Sequence, residues 1–208
     1  MRKVLFGVLA VSMLFLSTPS FAATIDFRNP VWNPHGSNTK TVGDVTVFAL
    51  DGPRDPSLFW ATDDGLGVNG GRNDRERDEI NNQERLVISF TSPFTLTGIL
   101  LTDLFTERLD GVTYDEVAEF RINGGEWEAV SAFGTRNQNP NGEVFLFPPQ
   151  RDVWLLEFRA DTFDIGGRRN DFSVARLEGY PAVPEPTSML LLGTGLIGLA
   201  RRFSKRAS

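Results

Sequence analysis

The chain has 208 residues, 40% hydrophobic and 11% aromatic, with a formal net charge of −6. That aromatic content excludes wholesale disorder, and the lack of cysteine together with a single histidine, His35, excludes disulfides, thiolate metal sites, a cysteine nucleophile and multi-histidine zinc centres. Twenty glycines and twelve prolines, without long helix-forming stretches, favour a turn-rich β protein.

Residues 1–22 read as a secretory signal peptide. Arg2 and Lys3 precede an apolar run over residues 4–16, and the small residues Ser20 and Ala22 stand third-last and last before a cut. The run is short for a hydrocarbon core of about 30 Å, which argues against a lasting anchor.

From residue 23 onward, alternation of apolar and polar side chains dominates. Residues 25–28, 45–50 and 58–61 are the first short strands expected. Leu86, Ile88 and Phe90 alternate with Val87 and Ser89, and a further strand over 94–101 is expected after Ser92-Pro93. Ala118, Phe120 and Ile122 alternate with Glu119 and Arg121, and Asn123-Gly124-Gly125 then predicts a hairpin turn ahead of Trp127. Residues 143–147 and 153–158 form a pair around Pro148-Pro149, and 172–177 closes the series. Strands with one wet and one buried face predict an all-β fold, a two-sheet β-sandwich of jelly-roll-like kind over residues 23–182, with a closed barrel as the alternative.

Between the two ends the chain holds 15 basic and 26 acidic residues, a charge of −11. Such a balance argues against nucleic acid as a partner, since a basic face is needed there. Residues 63–84 carry seven carboxylates, with Asn69, Asn73, Asn81 and Asn82 and the glycines Gly65, Gly67, Gly70 and Gly71. Calcium takes six to eight hard oxygens, including carbonyls that glycines expose, so Asp78, Glu79, Asn81 and Glu84 are the candidate calcium ligands. The spacing is not that of an EF-hand. A solvated loop neutralised by Arg72, Arg75 and Arg77 is the alternative, as is a structural ion pair for Glu84. Trp60 and Trp32, in turn-rich surroundings, are the candidate sugar-stacking rings, whereas Trp127 and Trp154 fall on strands and are expected in the core.

Catalytic signatures are lacking. No Gly-x-Ser-x-Gly elbow accompanies His35, and no phosphate-binding glycine loop precedes a helix, so the chain is not expected to be an enzyme.

The C-terminus, residues 183–208, joins a stiff Pro184-Glu185-Pro186 segment to a short apolar stretch containing Gly193, Gly195 and Gly198, and then to a basic cluster with Arg201 and Arg202. Twelve apolar or small residues from 189 to 200 barely cross a bilayer as a transmembrane helix. The basic cluster stays on the cytoplasmic side.

This three-part tail resembles the PEP-CTERM sorting signal of exported Gram-negative bacterial proteins. The resemblance covers about the last 26 residues, and its matching residues are Pro184, Glu185, Pro186, Arg201 and Arg202. It implies recognition by an exosortase-type membrane protease, transient anchoring in the inner membrane, delivery to the cell surface or beyond, and an association with exopolysaccharide and biofilm. The blocks Gly65-Leu66-Gly67-Val68 and Asp171-Phe172-Ser173-Val174-Ala175 are also similar to segments of PEP-CTERM ectodomains. The expectation is therefore an exported matrix protein whose β-sandwich contacts extracellular polysaccharide, stabilised by calcium. A secreted polysaccharide hydrolase, or a structural surface protein without a ligand, are the alternatives.

Overall fold

The structure, a computed structural model, describes residues 23–51, 56–70, 79–81, 84–109, 111–160 and 170–181. Thirteen strands run in chain order: β1 Ala23–Asp26, β2 Thr39–Val42, β3 Val45–Asp51, β4 Ser57–Ala61, β5 Gly65–Asn69, β6 Ile80–Asn81, β7 Glu84–Thr102, β8 Thr106–Leu109, β9 Val112–Asp115, β10 Val117–Ile122, β11 Glu128–Ser131, β12 Glu143–Ala160 and β13 Asp171–Pro181. The one helical element among them is a single 3-10 turn, Pro30–Trp32, capped by the side chain of Asn29.

The strands form an eleven-stranded sheet and a separate two-stranded ribbon, β8–β9. The sequence predicts two detached sheets of short strands. The ladder is instead continuous, because β7 and β12 run on for 19 and 18 residues through the prolines that read as breaks. Proline is tolerated where no ladder donor is needed. Pairing of β7 with β12 jumps from Phe94↔Val153 to Ser89↔Leu155, so Pro93 lies in the gap; Pro148 and Pro149 fall in a second register shift between Leu146 and Gln150. Both strands bend there, and each serves two halves of the sheet.

In the first half, residues 84–90 of β7 pair with β3 on one side and residues 155–158 of β12 on the other, with β10 and β11 beyond. In the second half, residues 94–102 of β7 lie between residues 143–153 of β12 and β13. The far edge of β13 is shared by β1, β5 and β6.

Alternation puts Leu86, Ile88, Phe90, Phe120, Leu156 and Phe158 inward from the first half, and Leu96, Ile99, Leu101, Val174 and Leu177 from the second, in one core cluster. The halves meet across it: Phe147 stacks on Phe120 with centroids 5.8 Å apart, and Phe120 contacts Phe158 at 6.4 Å. At the bend, Phe90 and Phe94 stack at 5.1 Å and an angle of 3°. The outer face of the first half is polar. Glu157, 6% exposed, accepts two 2.8 Å bonds from Arg121, and the guanidinium groups of Arg121 and Arg159 lie over the Trp127 ring at 4.6 and 4.0 Å.

The expected Asn123-Gly124 hairpin turn is present, with φ of 52° and 72°, the positive pair of a type I′ turn. Residues 63–84 are not one long loop. Residues 65–69 are a buried strand, with Leu66 and Val68 fully enclosed. Gly65, at φ 99°, approaches the Val174 carbonyl so closely that no Cβ could be placed.

This topology gives the domain two unlike poles. Ala23 pairs with Gly179, and Pro181 lies opposite Phe94, so the start of β1 and the end of β13 sit together where β7 and β12 bend. The opposite pole, at the far end of the roughly 33 Å length of an eleven-residue strand, collects Thr102, Glu143, Ala160 and Asp171 at strand ends.

Candidate functional site

Charge concentrates at the pole away from the paired chain ends. Asp103 follows the last residue of β7 at a positive φ of 59°. Glu116 precedes β10, Asp171 opens β13 and Asp64 precedes β5. Strand pairing brings these four together from positions up to 107 apart in sequence. The Asp64 carboxyl lies close enough to Asp103 to disfavour its charged form, and Asp171 adds its field to both Asp103 and Glu116. Burial first, and then Asp64, pushes Asp103 up to about 7. Burial likewise pushes Glu116 up to about 8, against the opposing 2.6 Å bond that its Oε2 accepts from the Phe105 amide. Arg136 supplies the nearby positive charge, 3.6 Å from Asp103, with its guanidinium 4.6 Å from the centre of the Phe105 ring.

A cleft of about 220 Å³ opens beside this group, between the ribbon and residues 135–137, lined by Phe105, Arg108, Thr135, Arg136 and Asn137. Glu143, 1% exposed, closes the neighbouring loop: it accepts from the Phe133 amide at 3.0 Å and from Asn139 at 2.7 Å. Burial raises its carboxyl above the ordinary glutamate range.

Of the candidate calcium ligands, Glu79, Asn81 and Glu84 lie at this same pole. Asn81 pairs with Asp171, and Glu84 pairs with Asp51. Asn81 and Glu84 are both buried, and the Glu84 carboxylate accepts the Asn81 amide at 3.0 Å, so at least one of its oxygens holds the loop together. Asp78 lies outside the described residues. Among the described residues, no group of three or more His, Cys, Asp or Glu side chains is arranged to hold a metal ion.

The tryptophans are distributed differently from the sequence expectation. Trp32 is 4% exposed and packs edge-on against Phe27 with centroids 4.9 Å apart, so it presents no open ring face to a sugar. Trp60 is half-buried and its indole N–H donates to the Phe27 carbonyl at 2.8 Å. Trp154, expected in the core, is 47% exposed beside the bend of β12, and Trp127 lies beneath arginines on the outer face. The reason is positional: Trp32 follows a strand that the fold places against the centre of the second half, whereas Trp154 falls where β12 leaves the ladder.

Asp103, Glu116 and the onset of β13 escaped the sequence reading as site residues. Each is a single acid flanking an apolar strand, a signal too common to select them without knowing which strand ends meet.

The sorting residues Pro184, Glu185, Pro186, Arg201 and Arg202 lie outside the described residues, as do residues 1–22. Among the described residues no helix is long and apolar enough to cross a membrane. A comparison with curated proteins returns no match. Residues 182–206, which follow β13 directly, match the family model of the PEP-CTERM protein-sorting motif: this chain carries the C-terminal signal of exported proteins sorted by an exosortase.

Proposed function

We propose that the chain is a cell-surface or extracellular-matrix protein whose β domain, two half-sheets facing each other as a jelly-roll-like sandwich, binds extracellular polysaccharide rather than catalysing a reaction. The observation that carries this reading is the sorting motif at residues 182–206, immediately after a folded domain. The domain's two ends are adjacent at one pole, so an anchored chain holds that pole toward the membrane and turns the acidic pole away from it. Exosortase processing then frees both poles. An exposed Trp154 provides an apolar ring with a polar N–H, the combination that suits a sugar face.

Replacing Pro184, Glu185 and Pro186 by alanine is expected to leave the protein in the membrane fraction, with little or none released. Release at the wild-type level in a fractionation and immunoblot experiment would refute processing at this motif. For the released protein, Trp154→Ala is expected to weaken binding to exopolysaccharide purified from the producing cells at least about five-fold while leaving the melting temperature within a degree or two. Unchanged binding would remove the ring from the reading.

Calcium belongs to the same proposal through the donor chemistry of Asp78, Glu79, Asn81 and Glu84, of which Asn81 pairs with Asp171 at the acidic pole. A dissociation constant of roughly 0.5 mM, within the range of extracellular modules, would give about 1.4 kcal/mol at about 5 mM calcium, or a rise of roughly 3–5 °C in Tm. A melt unchanged by calcium and identical in EDTA would exclude it.

A further inference from the structure

We infer that β13, the strand joined directly to the sorting motif, is the closing strand of the domain, so that the domain completes its fold only after the chain has been delivered through residue 181. Four strands depend on it. β1 and β6 have β13 as their strand partner, and the β4–β5 hairpin attaches to the rest of the sheet through Val174↔Leu66. On its other edge β13 pairs with β7 over residues 94–102. It is central, and it is the last of the described strands in the chain.

The packing agrees with a strand that fills a prepared slot. Phe172, Val174, Ala175 and Leu177 are fully enclosed, and Ser173 is 1% exposed. At Gly179 the backbone of β13 lies against the Thr95 carbonyl and 2.6 Å of clearance is all that separates a Cβ position from the Phe94 ring. Before residues 171–181 arrive, the segments at 23–26, 57–69 and 80–81 have no partner on that edge, and the second half of the sheet is two strands wide. Local pairs such as β2–β3, β8–β9 and β10–β11 can form as the chain emerges, because their loops are short. Closure of the core cannot, since Ala23 must wait for Gly179.

This inference rests on the export reading only for its setting. A chain moved N-terminus first crosses unclosed, and it closes when the sorting motif is the next segment to follow. Folding and arrival of the signal then coincide, which keeps a finished domain from obstructing transport.

The test uses the chain during synthesis, without membranes. Chains arrested on the ribosome behind a linker that clears the exit tunnel, with either residue 170 or residue 181 as the last native residue exposed, are compared with the finished protein by limited proteolysis. The chain exposed through 170 is expected to be cut at least ten-fold faster than the finished protein, and the chain exposed through 181 at the finished protein's rate. A circular permutant supplies the second arm, because adjacent ends allow 181 to be joined to 23 through a short Gly-Ser linker. Made with residues 171–181 first, it is expected to become resistant as soon as residue 170 is exposed. Resistance of the native-order chain at residue 170, or a permutant as sensitive as the native order at that point, would overturn the inference. Neither result touches the membrane-retention experiment on Pro184, Glu185 and Pro186, so failure of the export reading and failure of this one are distinguishable.

Discussion

Gly179→Val is expected to lower the melting temperature by roughly 10 °C. Gly179 sits in the central strand of the second half-sheet, opposite Leu96 and Ala23. A Cβ there would land on the Thr95 carbonyl oxygen and 2.6 Å from the Phe94 ring, and both neighbours are only 4% exposed. Neither can yield: one is backbone in a ladder and the other is stacked on Phe90. Relief therefore requires β13 to separate from β7. Overpacking a close-packed interior costs about 3 kcal/mol when backbone must shift, and each kcal/mol is worth roughly 2–4 °C in a domain of this size. Gly43→Ala is the matched comparison. Gly43 has a φ of 57° but nothing within 4 Å of a Cβ, so only backbone strain of about 1–2 kcal/mol applies. Thermal denaturation of both variants decides the matter: equal small losses would mean that the contact at Gly179 is not as tight as its geometry indicates.

Raising the pH from about 5 to about 8.5 is expected to destabilise the domain, and the double variant Asp103→Asn, Glu116→Gln is expected to remove most of that dependence. Burial, helped at Asp103 by the neighbouring Asp64 carboxyl, lifts the two groups to about 7 and about 8 from ordinary values of 3.8 and 4.5. The folded protein thus keeps two protons that the unfolded chain releases above pH 5. Folding takes up protons between these limits, so the stabilisation is complete below about pH 4 and disappears as the pH climbs through 7 and 8. Three units correspond to about 4 kcal/mol for one fully sequestered carboxyl. Partial solvent access at both groups reduces this to about 1–2 kcal/mol each, or a fall in Tm of roughly 5–10 °C in total. Glu143, also raised by burial, adds in the same direction. Asp26 opposes it. Its bonds from Arg28 at 2.9 and 3.0 Å hold its carboxyl below the usual range, so its contribution is present at neutral pH and is lost on acidification below about 3.8. Melting curves from pH 4 to 9 give the comparison, and parallel slopes for wild type and the double amide would show that other groups control the pH response.

The two experiments bear on different ends of the same molecule. Gly179 lies beside the pole where the domain meets the sorting motif, and Asp103 and Glu116 lie at the pole turned away from it. A cation bound beside Asp103 would favour its charged form and flatten the pH slope, so the pH profile measured with and without calcium also reports on the proposed ion.

The sorting signal and the all-β class were both legible along the chain. Both follow from local regularities: a sorting signal is a linear order of residue types, and alternation such as Leu86, Ile88, Phe90 or Ala118, Phe120, Ile122 encodes one buried face per strand. The hairpin at Asn123-Gly124 was legible for the same reason, since two positive φ angles are a demand on two adjacent residues. Which strands continue, which edges meet and which side chains reach water depend instead on contacts between distant segments. Pro93 and Pro148-Pro149 read as strand ends because proline lacks a donor, and whether that donor is needed depends on a partner strand far away in the chain. Trp32 and Trp154 exchanged their expected places because exposure is set by what packs over a ring. Asp64, Asp103, Glu116 and Asp171 became a group because antiparallel pairing returns separate strand ends to one pole, a consequence of long-range register that no local spacing records.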